Sequence, residues 1–501
     1  MENPPLWRET YQPARLETLL EGGEVQCNLS PRRCRIREGG VGVCGVRGNV
    51  GGRLVTFSYG KGVHLTEEVI ETEAVFHYAP GARTLSLGNI GCNLNCSYCQ
   101  NWKTSQSRYV EDGDIYAFSP EQVVETAVRH GIRVLSWTYN DPVVWHEFVL
   151  DTARLAREAG LINLFKSAFY ITPEAVEELL PVIDIFTLSI KSINPGYYRQ
   201  LTGGRVEPVL EAVRQVHRAG KHLEVSNLMV TDISDDEASA RQVIEWILNH
   251  LDVQVPTHFA RFHPEYRLTQ TCRTPVENLQ RARRLAQSMG LAHVYLGNVL
   301  DVEATSTTCR VCGSLQVRRF GLNTRVVGLD GEGRCRHCQA PSGIRMLPAL
   351  QARPRLERLP KVALQSQVCH WRGEIASFHV QLHNTTPVDT AVYYRLVGGA
   401  DASWSEVALG AGEHYRFVLG KDAPEDTGVE LRLPEGVVLH WHEVYDRAHF
   451  PTIPIEVARS ESDATALPHF EGRALSAERL ATLRRSLREG TAAADEPEEE
   501  E

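Results

Sequence analysis

Between about residues 83 and 297, short apolar runs alternate with amphipathic segments, and this alternation constrains the fold more than any other feature of the chain. Leu85 to Leu87 open the series; "RVLSW", "LINLF", "DIFTLSI", "HLEVSNLMV", "THFARF" and "HVYLG" follow, each preceded by a helical pattern. Strands that alternate with helices pair in parallel, because each helix carries the chain back across one sheet face. Boundaries are marked locally: Ser119 and Gln122 form a predicted capping box around Pro120, Gly131 ends that helix, and Thr274 with Glu277 predicts a second box. The fold class is α/β, and six or seven such units favour a partial (β/α)6-type barrel over a doubly wound sheet.

The flanks read differently. Residues 1–63 are glycine-rich and carry Cys27, Cys34 and Cys44; residues 64–304 form the barrel core. Residues 305–346 carry Cys309, Cys312, Cys335 and Cys338 as two Cys-x₂-Cys knuckles separated by 22 residues. Four thiolates at this spacing predict a zinc-ribbon-like module, with structural zinc favoured and an electron-transfer iron site as the alternative. Beyond the joint "LQARPRLERLP", residues 355–460 alternate in twos and predict an all-β, sandwich-like domain, read as a docking module or as a stabilising one. Residues 461–501 hold one amphipathic helix and an acidic tail.

Composition narrows the class of function. The net charge is −10, but six of those charges sit in the tail from Asp495 to Glu501, so no basic surface for nucleic acid is expected. No run of about 18 apolar residues suggests a membrane span, and the start "MENPPLWRET" is not a signal peptide, so a cytoplasmic protein is expected. Twelve cysteines in such a chain point to metal or redox chemistry rather than disulfides. Cys272 and Cys369 stand alone and read as free thiols.

The loop after the first strand reads "GCNLNCSYCQNW" and supplies Cys92, Cys96 and Cys99. Three thiolates can hold three irons of a [4Fe–4S] cluster and leave the fourth open to a small molecule. Cys-x₃-Cys-x₂-Cys with Tyr98 before the last cysteine resembles the radical S-adenosylmethionine (SAM) superfamily. With "CNLSPRRCRIREGGVGVCGVRGNVGG", "TYNDP", "HFARFHPEYRL", "VYLGNV" and the final cysteine pairs, residues 15 to 345 resemble the AmmeMemoRadiSam-system radical SAM enzymes, relatives of pyruvate formate-lyase activating enzymes.

The resemblance implies reductive cleavage of SAM to a 5′-deoxyadenosyl radical that abstracts hydrogen from a substrate, with electrons from a flavodoxin- or ferredoxin-type donor. The substrate, whether protein, peptide or small molecule, is not implied. A glycyl-radical activase and a non-catalytic iron–sulfur carrier or scaffold are the alternatives. Tyr139, Asn140 and Asp141 match the motif that holds the SAM amino group, with aspartate where the family has glutamate; a turn capped by Asp141 is the structural alternative. His263 matches a histidine at the SAM end, Glu224 and Asn227 are candidates near the ribose, and Lys191 matches a lysine usually preceded by aspartate at the position of Ser189. Lys166 is expected to supply the positive charge of a monovalent cation that activating relatives bind beside SAM. Relatives carry Cys-x-Leu-Cys-Pro where this chain has Cys27-Asn28-Leu29-Ser30-Pro31, so Cys27, Cys34 and Cys44 lack a fourth thiolate. A vestigial or weakened site is the leading expectation, ahead of an auxiliary cluster with an open or substituted iron.

Overall fold

A computed structural model describes residues 5–347, stretches of 355–445 interrupted by short gaps, and residues 481, 482 and 485. The predicted C-terminal helix and acidic tail fall almost wholly outside the described residues. Seven parallel strands form the core: β1 (Arg83–Asn89), β2 (Val134–Thr138), β3 (Ile162–Ser167), β4 (Ile185–Ser189), β5 (His222–Met229), β6 (Thr257–Arg261) and β7 (Val294–Gly297). Six helices intervene: α1 (Pro120–Arg129), α2 (His146–Glu158), α3 (Pro173–Leu179), α4 (Val206–Arg218), α5 (Glu237–His250) and α6 (Val276–Ser288). The result is six βα units and a seventh strand in a sheet that does not close on itself.

Local chemistry sets the boundaries. Both halves of the Ser119–Gln122 capping box are formed at α1. The second predicted box is not: α6 begins without a side-chain cap. Thr274 turns inward instead, donating to the Met229 carbonyl and accepting from the Phe262 amide, because satisfying buried backbone outweighs capping an exposed helix end. The parallel register pairs Lys166 with Thr187 and Thr187 with Glu224, so one row of polar side chains crosses β3, β4 and β5.

Before β1, the strand Lys61–Val69 runs antiparallel to it, and the segment from Ile70 to Tyr78 then crosses beneath the barrel. Three buried carboxylates fix this floor. Glu224 accepts from the Phe76 and His77 amides. Glu73 accepts from the hydroxyls of Ser86, Ser136 and Thr138. Glu71 takes Arg319 Nε at 3.2 Å.

Arg319 comes from the cysteine ribbon, whose strands Thr307–Thr308, Leu315–Phe320 and Asn323–Val326 form a small antiparallel sheet. Its guanidinium is fully buried, donates to the Phe76 carbonyl and the Thr307 hydroxyl, and lies 4.1 Å from the Phe76 ring centroid. One side chain thus fastens the ribbon to the barrel floor.

The C-terminal strands form two antiparallel groups, one of which continues the core sheet: His414–Leu419 runs parallel beside Lys61–Val69, with Arg416 opposite Thr66. Glu413 accepts from Arg129 at 2.5 Å and meets His130 Nε2 at 3.0 Å, while Tyr415 stacks on His130 at 3.6 Å. Apolar packing is continuous from Val25 and Leu29 through the barrel to Phe417 and Leu431. Among the described residues, no helix is long and apolar enough to cross a membrane.

Arg319→Ala should cost about 3–5 kcal/mol, because it strands the buried Glu71 carboxylate without its partner. A urea titration should show a lower midpoint at unchanged slope; an unmoved midpoint would mean that the ribbon is held elsewhere.

Candidate active site

At the carboxyl ends of the strands, where α/β barrels place their chemistry, a cavity of about 530 Å³ opens. Its wall contains Cys92, Cys96 and Cys99 together with Tyr139, Asn140, Asp141, Lys166, Lys191 and His263. The cysteine loop leaves β1 through Gly91 at φ +79, where a Cβ would lie 2.5 Å from the Cys44 carbonyl oxygen. Only glycine permits that approach. Burial pushes the Cys92 thiol well up, Cys96 to about 11, and Cys99 up as well. Thiols in such a place ionise when a cation takes their charge, which is the environment of a metal cluster rather than of a free nucleophile.

Asp141 serves two structures with its two oxygens. Oδ1 accepts from the Ser167 hydroxyl at 2.6 Å and from the Val143 amide at 3.2 Å, capping the turn Pro142–Trp145. Oδ2 is buried and has no partner. Burial raises the Asp141 carboxyl above its ordinary value, against the lowering effect of Ser167 and Val143. The turn reading and the ligand reading therefore describe different atoms of one side chain. Tyr139 adopts φ +67 with its ring 4.6 Å from His64, and Asn140 is fixed by Thr104 and the Asn89 carbonyl.

Lys191 lies 5.6 Å from the Tyr98 ring centroid, and its charge acts on Cys96, Cys99 and Asp141. His263 lines the cavity with both nitrogens engaged: Arg273 lies 3.0 Å from Nε2 and the Pro264 carbonyl 2.8 Å from Nδ1. Arginine only donates, so Nε2 accepts and Nδ1 carries the proton. Burial, with Arg273 alongside, lowers its pKa, so His263 presents a neutral ring.

Two of the expected residues lie off the wall, and a third has a partner there. Glu224 does not line the cavity: it sits below, paired to His258 at 2.7 Å and His222 at 3.0 Å. Burial alone would raise its carboxyl, but the two imidazoles hold it well below the carboxylate range. Asn227 is also off the wall, donating to the Ile190 and Lys191 carbonyls. Strand alternation explains this, since Ser226 takes the inward place and meets Ser189 at 3.0 Å. Lys166 reaches the wall, but its ammonium is 3.2 Å from Glu73 and donates to the Thr72 carbonyl. Its charge therefore lies against the Glu73 carboxylate of the floor.

Sequence reading missed Ser167, Ser226 and Glu73. The first two carried a signal, because small polar residues at the ends of otherwise apolar strands mark a polar mouth. Glu73 carried none, lying in a connection whose path only the fold reveals.

Cys309, Cys312, Cys335 and Cys338 bring their sulfurs within 4.8 Å of one another. Among the described residues this is the one group drawn so close, and four thiolates at that range suit a single tetrahedral ion. The Ser314 hydroxyl, 3.2 Å from Cys312 and Cys335, lowers both thiols, Cys335 to about 5. Cys92, Cys96 and Cys99 are spread more widely around their cavity, as a multinuclear cluster requires. Cys309→Ala should release about one metal equivalent per chain on elemental analysis and leave iron at the Cys92 loop unchanged; equal loss of iron would show that the two centres depend on each other.

Comparison with known proteins follows the same lines. Residues 89–247 match the Radical SAM superfamily model. An uncharacterized protein of Methanocaldococcus jannaschii is 37% identical over 321 residues, which is 64% of this chain and 95% of that protein. The pyruvate formate-lyase-activating enzyme of Streptococcus mutans is 25% identical over 175 residues, 33% of this chain and 65% of the enzyme, so the match spans just under two thirds of that relative. Among solved structures, a radical SAM methyltransferase from Sphaerobacter thermophilus aligns at 15% identity and TM-score 0.36, covering 61% of this chain and 81% of that one.

Proposed function

The chain belongs to the radical SAM superfamily, and from that premise we propose that Cys92, Cys96 and Cys99 hold three irons of a [4Fe–4S] cluster while Asp141 Oδ2 receives the methionyl ammonium of SAM. When bound, cluster and SAM together supply one-electron cleavage of the sulfonium C–S bond, giving methionine and a 5′-deoxyadenosyl radical that takes a hydrogen atom from a substrate. The observation that carries this reading is that three thiols, one buried and two partly buried, and the Asp141 side chain with its unpartnered oxygen line a single cavity.

The chain's own residues set the conditions for that chemistry. Ser167 holds the Asp141 carboxylate in place through Oδ1, so Oδ2 stays aimed at an ammonium. Lys191 offsets the negative charge that three thiolates and Asp141 gather around one end of the cavity. The Ser189 and Ser226 hydroxyls offer paired donors and acceptors for a ribose on the opposite wall. The floor from Glu71 to Phe76 closes the barrel below and keeps water from entering on that side. A volume of about 530 Å³ is that of a site for small molecules or a short extended segment, and a low-potential flavodoxin- or ferredoxin-type protein is the electron donor we favour.

A second reading, a glycyl-radical activase acting on a partner protein, is favoured by the likeness to the Streptococcus enzyme. Catalytic turnover on a small molecule or peptide supports the first reading; a glycyl radical on a partner supports the second. We read the four-cysteine ribbon as a structural zinc site, since four thiolates leave no open position. We assign the C-terminal strands a bracing role, because they extend the core sheet and seat Glu413 and Tyr415 on α1 and His130.

Asp141→Asn keeps an acceptor for Val143 and removes the charge. SAM affinity should fall about 10- to 100-fold, the equivalent of one charge-assisted hydrogen bond, with iron content unchanged. Binding as tight as the wild type would place the ammonium elsewhere; loss of iron would make Asp141 a structural residue.

A further inference from the structure

The amino-terminal cysteines lie in two separate pieces of chain, and the fold brings them together. Strands Val25–Cys27 and Arg35–Ile36 pair antiparallel, the Cys27 amide donates to the Cys34 carbonyl at 2.9 Å, and Ser30 occupies the turn between them. Cys44 arrives from the following loop, and Cys27, Ser30, Cys34 and Cys44 all line one small pocket. Arg47 lines the same pocket with its side chain 1% exposed. Its Nη1 donates to both Glu147 oxygens and its Nη2 to the Arg15 carbonyl, but its Nε is buried without a partner. A buried guanidinium N–H without an acceptor is costly, so an acceptor belongs there.

The sulfurs of Cys27, Cys34 and Cys44 do not gather within the 4.8 Å that unites the ribbon set. The buried, unpartnered Arg47 Nε beside them suits a cluster, whose sulfides accept hydrogen bonds, better than one zinc ion, which offers no acceptor. We propose that Cys27, Cys34 and Cys44 hold a second iron–sulfur cluster, with a sulfide accepting from Arg47 Nε and Ser30 facing the remaining iron.

Position suggests its use. Asn93 lines this pocket, while its neighbours Cys92 and Leu94 line the large cavity, so a single residue separates the two cysteine sets. The Cys44 carbonyl packs directly on Gly91 at the root of the main loop. Cys34 and Cys44 are partly exposed, so the site borders the surface. The second cluster therefore passes electrons rather than binding substrate. A low-potential one-electron donor reduces it, and it is reoxidised by delivering that electron to the cluster of the main loop; no bond forms or breaks. The relay rests on the radical SAM reading, whereas the existence of the second cluster does not.

The test uses the full chain, reconstituted anaerobically with iron and sulfide. With Cys92, Cys96 and Cys99 all changed to Ala, about half of the wild-type iron and acid-labile sulfide should remain, with a cluster signal in Mössbauer spectra. Adding Cys27→Ala and Cys44→Ala should remove it. Zinc in its place, or no metal at all, would overturn the proposal. Ser30→Cys supplies a fourth thiolate without removing any group and should slow iron loss to a chelator at least severalfold; an unchanged rate would contradict a cluster at this position. For the relay, Cys27→Ala with Cys44→Ala in the otherwise wild-type chain should leave SAM affinity unchanged and lower SAM cleavage driven by reduced flavodoxin about tenfold. Cleavage at the wild-type rate would retain the cluster and refute the relay.

Discussion

Three carboxylates buried beneath the barrel hold its floor shut, and the cavity depends on them. Glu71, Glu73 and Glu224 are each at most 5% exposed, and each is satisfied by several donors. Unpaired, any one of them would cost several kcal/mol; paired, they fix a connection whose Ile70 and Val75 also pack with Val134, Leu164 and Ile185. Lys166 and Arg319 bring the balancing charges, one from a core strand and one from the ribbon. The ribbon is therefore part of the device that closes the barrel.

Above that floor the same logic reverses. Where the floor satisfies both oxygens of each of its three carboxylates, the mouth leaves Asp141 Oδ2 unsatisfied beside three thiols. A native fold tolerates such a group where a ligand completes it. The contrast between paired carboxylates at the base and an incompletely paired one at the mouth is the physical ground for proposing the site at that end of the barrel.

The architecture was legible because it rests on local signals. Alternating apolar runs, the Ser119 box and the cysteine spacings all depend on neighbours within a few residues, and the structure places them as their periodicity requires. Glu224 misled for an instructive reason. A glutamate in an apolar strand signals a polar barrel interior, but the strand does not say which end of the interior is plugged. That depends on the path of Ile70 to Tyr78, which no periodicity describes. Asn227 misled through alternation, since its neighbour Ser226 faces inward. For Lys166, the partner Glu73 lies 93 positions earlier and has no pattern to announce it. The convergence of Cys27, Cys34 and Cys44 was likewise hidden, because sequence counts ligands and only the fold shows that they meet.

The central claim is that SAM occupies the cavity beside the cluster of the Cys92 loop, with its methionyl ammonium hydrogen-bonded to Asp141. Electron–nuclear double resonance on the reduced, reconstituted protein with SAM labelled by ¹⁵N at the methionyl amine addresses it directly. A hyperfine coupling between the label and the cluster is predicted. Bound SAM with no such coupling would contradict the account.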